Sequence, residues 1–240
     1  MFRELLDHPD VEEVMVLRGH ERPRELRLGF MAYHGGGLEE MTEVIAQHAA
    51  EHSDSSYYGV HQPRGMERHV PSIEVSPDAS ERLRAFLDHV HAVVTIHGYG
   101  RQGYYSTLLL GGQHRDFARH IGDHLRRHLP AYRIIDDVDE IPKELRGLHP
   151  RNPVNLPPAR GVQIELPPRV RGTTPLFWDW EGPELVPHTR SLVNGLVEAA
   201  RTWLRAPDVR GPTRRDRRRD NGNDRADDWG DPARTRTNAV

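Results

Sequence analysis

The sequence predicts an α/β protein: an open, twisted, mixed and largely parallel sheet with helices on both faces. Three observations lead there. Short apolar runs rich in β-branched and aromatic residues recur through the first 170 residues, helical stripes lie between and after them, and those stripes are long enough to cross back over a sheet. The runs "EVMVLRG" (13–19) and "LRLGFMAYH" (26–34) come first, and Leu38, Met41, Ile45 and Ala49 then share one helical face. A second helix carries Leu83, Phe86, Leu87 and Val90, with Ser76 as its cap and Pro77 in its first turn. The strand "HAVVTIH" (91–97) follows, then "YYSTLLL" (104–110), a helix with Phe117, Ile121, Leu125 and Leu129 inward, and "YRII" (132–135). The strand "GVQIEL" (161–166) precedes a last helix that opens at Thr189 and turns Leu192, Val193, Leu196, Ala200 and Trp203 inward. No internal repeat is visible.

Composition narrows the function classes. At 240 residues the chain fits one domain of ordinary size, and charged residues interrupt every apolar segment. That predicts a soluble protein without signal peptide or membrane span, cytoplasmic or released by lysis, and a monomer. There is no cysteine, so a metal would be held by the sixteen histidines and the carboxylates. The net charge of −3 does not predict a nucleic-acid partner. From Lys143 to Gly172, however, six basic residues face two acidic ones, an excess that suits either an acidic ligand or a solvated loop. Residues 1–206 are expected to fold. Residues 207–240 mix nine arginines and seven aspartates with Gly, Pro and Asn, the signature of a disordered tail whose charges largely cancel.

The stretch "FMAYHGGGLEEM" places a histidine and a glutamate on either side of three glycines. Glycine is costly inside regular structure, so this run reads as a tight strand-to-helix turn. His34 ends the strand, and Glu39 falls in the first turn of the next helix, where its carboxylate can point back. Such a turn also suits a phosphate on the helix amino end, but Glu39 would repel an anion and attract a cation. His97 repeats the pattern in "VVTIHGYG", although a strand-end histidine is often no more than a hydrogen-bonded one. Two histidines, one glutamate and a water make a known catalytic zinc set, which predicts one Zn²⁺ per chain on His34, Glu39 and His97. Glu165 ends the alternating strand before Pro167 and Pro168. It is read either as the base that takes a proton from metal-activated water, or as an ion pair with Arg169 or Arg171.

Taken together, "MAYHGGGLE", "RHVPS", "VVTIHGYG" with "LLLGG", "GLHPRNPVN" and "GVQIELPPRVR" resemble, in order and spacing, the poly-gamma-glutamate hydrolase family. Its members are zinc peptidases of phages and bacteria, related to zinc carboxypeptidases, and the likeness runs from about residue 25 to 172. The resemblance implies a zinc-carboxypeptidase-like fold, hydrolysis of γ-glutamyl amide bonds, zinc on His34, Glu39 and His97, and Glu165 as general base. The region around His69 departs from the family pattern, although His69 and Ser72 align. A γ-linked polymer carries one free carboxylate per unit, which an arginine fork pairs well. Arg101 is therefore expected to assist catalysis, and Arg151, Asn152, Arg169, Arg171 and His69 to bind substrate. Other readings are a metal- or anionic-polymer-binding module without catalysis, an amidohydrolase of small N-acyl amino acids, and a nucleic-acid protein acting through the tail.

Overall fold

The computed structural model describes residues 1–177 and 185–205. The expected tail from residue 207 lies outside the described residues. Seven strands among them form one sheet in the order β1-β3-β2-β4-β7-β5-β6. These are β1 (Glu12–Val16), β2 (Leu28–Gly36), β3 (Ser56–Gln62), β4 (Ala92–Gly98), β5 (Thr107–Leu110), β6 (Arg133–Ile135) and β7 (Gly161–Leu166). The neighbours β3-β2, β2-β4, β4-β7 and β5-β6 pair in parallel, while β1-β3 and β7-β5 are antiparallel. The sheet is mixed, open and largely parallel, as predicted.

Alternation along the central strands divides the core. Phe30, Ala32, Val94, Ile96, Val162 and Ile164 join the larger cluster, with the inward faces of α2 (Thr42–Ser53), α4 (Arg115–His128) and α6 (Pro187–Trp203). Met31, Tyr33 and Val93 join the second, with α1 (Phe2–Leu6) and α3 (Glu81–His89). Helices thus cover both faces. The helix stripes read from the sequence are mostly buried, but Leu38 and Met41 are half-buried and lie ahead of α2, which starts at Thr42, and Trp203 is half-buried. No helix among the described residues is long and apolar enough to cross a membrane.

Two further helix starts and one strand differ from expectation. The second helix starts at Glu81, because Ser80 Oγ accepts from the Leu83 amide at 2.9 Å, while Ser76 closes a turn upstream. The last helix starts at Pro187, whose fixed φ and missing N–H suit a first-turn position, and Thr189 lies within that first turn with its hydroxyl on Val170 O. Strand β3 was not anticipated at all. Its central Gly59 breaks the apolar alternation, and the glycine is needed because a Cβ there would lie 2.1 Å from the Tyr57 hydroxyl.

Candidate metal centre

Strands β2, β4 and β7 are parallel neighbours, so their carboxyl ends share one edge of the sheet. His34, His97 and Glu165 lie at those three ends, and His97 is in register with Glu165. Open sheets of this kind collect ligands along that edge. Strict alternation would send His34 to the face opposite Tyr33 and His97. An extra residue in β2, between the pairs Ala32↔Gly59 and Gly35↔His61, undoes that, and the His34 ring comes to 5.0 Å from the His97 ring.

The glycines then turn the chain back. Gly36 adopts φ +75°, and a Cβ on it would lie 2.0 Å from Gln62 O. One on Gly37 would lie 2.4 Å from Pro63 O, so both glycines are required by close approach to the end of β3. Glu39 sits in this turn, not in a helix, since α2 begins at Thr42. Its amide donates to His34 O at 3.0 Å, and its carbonyl accepts from the Thr42 amide and hydroxyl. The turn therefore aims the carboxylate back at the strand ends, as the sequence reading required.

Hydrogen bonds fix which nitrogen each imidazole presents. His34 Nε2 lies 2.9 Å from Val70 O, an acceptor, so Nε2 carries the proton and Nδ1 faces Glu39 Oε1 at 2.8 Å. His97 Nε2 lies 3.0 Å from the Tyr33 hydroxyl, which itself donates to Asn152 Oδ1 at 3.3 Å. Nε2 is again the donor, and Nδ1 faces Glu39 Oε2 at 3.3 Å. The Gly98 amide holds the same Oε2 at 2.8 Å. Two lone-pair nitrogens and a carboxylate thus converge, an arrangement that repels itself unless a proton or a cation lies between them. Among the described residues this is the one group of three or more such side chains whose ligand atoms lie within 4.8 Å of one another. The donor set fits a divalent ion of zinc type, and the far nitrogens are tied to acceptors as ligating histidines require. Without a cation, burial opposes the charge on His97, but the Glu39 carboxylate outweighs it and holds the imidazole above its ordinary value. Burial likewise opposes ionisation of Glu39, and the two histidines reverse it, keeping the carboxyl far below the usual range.

Glu165 is 4 % exposed, and its Oε1 accepts from Gln163 Nε2 at 2.8 Å. Burial pushes its carboxyl up to about 7, against the opposing pull of His97. The three ligand candidates and Glu165 line one open cleft of about 610 Å³. Exposed His69 lines it as well, its ring 5.1 Å from that of His34, and so does buried Asn152.

The arginines expected around this site stand elsewhere. Arg101 pairs with Glu144 at 2.6 Å and reaches the rim through that partner. Arg151 is exposed and does not line the cleft. Arg169 donates to Ser106 Oγ and lies over the Tyr132 ring, so it serves packing beyond β5. Arg171 is buried behind the site, donating to Leu166 O and Glu40 O against Gly98, and so braces the turn that carries Glu39. The cations that do line the cleft, besides the histidines, reduce to Lys143, the single lysine of the chain. That singularity was visible in the sequence. Tyr33 and Gln163 were missed because their roles depend on contacts across 119 and 11 residues to Asn152.

A model of the family described as poly-gamma-glutamate hydrolase matches residues 2–181. Among solved structures, that of a bacteriophage poly-gamma-glutamate hydrolase superposes with a TM-score of 0.66 at 19% identity, covering 81% of this chain and 89% of that one. The zinc-free apo form of YNDL gives 0.58 at 18% identity, covering 83% and 91%. At these identities the likeness is one of fold. No curated protein matches the chain in sequence.

Proposed function

The chain belongs to the poly-gamma-glutamate hydrolase family, and from that premise we propose a metal-dependent hydrolase of γ-glutamyl amide bonds with Glu165 as general base. The observation that carries the reading is the convergence of His34 Nδ1, His97 Nδ1 and the Glu39 carboxylate on one point beside Glu165. A zinc ion held by these three would supply a Lewis acid and lower the pKa of a water towards ~7.

Glu165 does the proton work. Gln163 occupies Oε1, and Oε2 makes no hydrogen bond among the described residues, so Oε2 is the atom that accepts a proton from the attacking water. Glu165 then returns that proton to the leaving amine nitrogen. A carboxyl near 7 is suited to both halves of the transfer, being basic enough to accept and acidic enough to give. The open cleft of about 610 Å³ has room for a γ-glutamyl chain segment. Lys143 at its lining makes no ion pair among the described residues, and it is the natural partner for a substrate α-carboxylate, with His69, also on the lining, as a hydrogen-bond donor.

The test uses the zinc-loaded full chain on poly-γ-glutamate. Glu165→Gln should retain the metal and lose at least about a hundredfold in kcat, and Lys143→Gln should raise KM with kcat little changed. Full activity in Glu165→Gln would refute the mechanism.

A further inference from the structure

Glu165 and His97 are joined by a directed chain of hydrogen bonds through Asn152. The Val154 amide donates to Asn152 Oδ1 at 3.2 Å, and because a backbone N–H can only donate, it fixes which end of the carboxamide is oxygen. Two arms leave from there. On one, Oδ1 also accepts from the Tyr33 hydroxyl, whose oxygen accepts from His97 Nε2, so that His97 Nδ1 is left bare. On the other, Asn152 Nδ2 donates to Gln163 Oε1 at 2.8 Å, which forces Gln163 Nε2 towards Glu165 Oε1.

Every member is buried: Tyr33 is 0 % exposed, Asn152 and His97 3 %, Gln163 and Glu165 4 %. In such surroundings a reversed amide would set acceptor against acceptor, Asn152 Oδ1 against Gln163 Oε1. Neighbouring main chain is shaped around the same groups. Gly147, at φ +62°, has no side chain, and a Cβ there would lie 2.6 Å from Gln163 Oε1. Asn155 Nδ2 holds the Gly147 carbonyl at 2.7 Å, and the Gly111 amide holds Gln163 O at 2.7 Å.

We propose that Asn152 is a positioning residue, and not a substrate ligand, that sets the orientation of both halves of the site: His97 through Tyr33, and Glu165 through Gln163. The inference rests on the reading of His97 as a metal ligand and Glu165 as the base. It predicts that the two arms fail separately. Tyr33→Phe should weaken zinc affinity about 10–100-fold, the usual cost of losing a ligand's hydrogen-bond partner. Gln163→Leu should leave zinc affinity alone and lower kcat about tenfold or more at unchanged KM.

Asn152→Asp is nearly isosteric and keeps the oxygen that meets Val154 and Tyr33. It presents a second oxygen to Gln163 Oε1, and Gln163 cannot turn to meet it without setting its own oxygen against Glu165 Oε1 and Leu145 O; the link to Glu165 is disturbed either way, and kcat should fall as in Gln163→Leu with zinc still bound. A double-mutant cycle separates positioning from general damage: in the Glu165→Gln background, Gln163→Leu should cost less than about twofold more. An equally large further loss there, or an unchanged kcat in both Gln163→Leu and Asn152→Asp while Glu165→Gln is crippled, would overturn the role of Asn152. Full activity in Glu165→Gln would instead remove the functional reading beneath it.

Discussion

Two regions of this molecule gather histidines around a glutamate, and they are built on opposite principles. At the sheet edge, His34 and His97 come from separate strands and are buried, and each has its far nitrogen tied to an acceptor, so their remaining lone pairs meet at Glu39. Between α4 and α6, His120, His124 and His128 follow one another on a single helix face beside Glu198 and Thr202. There the partners are dispersed. His120 Nε2 lies at Ala199 O, His124 has Arg127 and, at 3.6 Å, Glu198 at Nδ1 and Thr202 at Nε2, and His128 Nε2 lies 2.7 Å from half-exposed Glu198. Burial and Arg127 lower His124 below its ordinary value. Counting histidines therefore does not find the site; what separates the two clusters is that, among the described residues, only at the sheet edge do the ligand atoms of two histidines and a carboxylate face one point.

That contrast can be broken by mutation. The largest effect should come from His97→Ala, with loss of at least about a thousandfold in kcat/KM on poly-γ-glutamate, while His124→Ala stays within about twofold. Comparable losses in both would erase the distinction.

A smaller effect concerns backbone. Gly36→Ala combines a positive φ with a Cβ 2.0 Å from Gln62 O, and should destabilise the protein by about 3 kcal/mol. Gly195→Ala, which meets the flexible end of Leu125 at 3.0 Å inside α6, should change the thermal midpoint far less. Equal shifts would mean that the glycine turn is not the constraint it is taken for.

The smallest is a pH effect. A base must be ionised to act, and burial raises the Glu165 carboxyl from its ordinary value to about 7. Activity should accordingly rise with pH up to that region, and a cation beside the carboxyl can only pull the limb lower. Replacing Glu198, between α4 and α6, should leave the profile where it is. A limb well above 7 would show that another group is titrating.

The same contrast explains what could be read from the sequence. The strand ends of β2, β4 and β7, the glycines after His34 and His97, and the three polar residues on those ends were legible, because alternation and turn chemistry are local. Glu39 was placed in a helix although α2 starts at Thr42; its useful direction comes from the bulge in β2 and the turn at Gly36, which a 3.6-residue period does not reveal. Strand β3 was hidden by Gly59, whose purpose is room for Tyr57. The arginines were expected at the cleft on charge alone, but Arg169 and Arg171 are used by the fold, on Ser106 and on the carbonyls of Leu166 and Glu40. Lys143 and the Asn152 links depend on which loops meet over the sheet edge, a matter of tertiary packing.

The most direct test is to count tightly bound zinc on the purified full chain, comparing wild type with His34→Ala and His128→Ala. One ion per chain is expected in wild type and in His128→Ala, and none in His34→Ala. Zinc that persists in His34→Ala, or that leaves with His128, would contradict the claim that oriented lone pairs at the sheet edge make the metal centre.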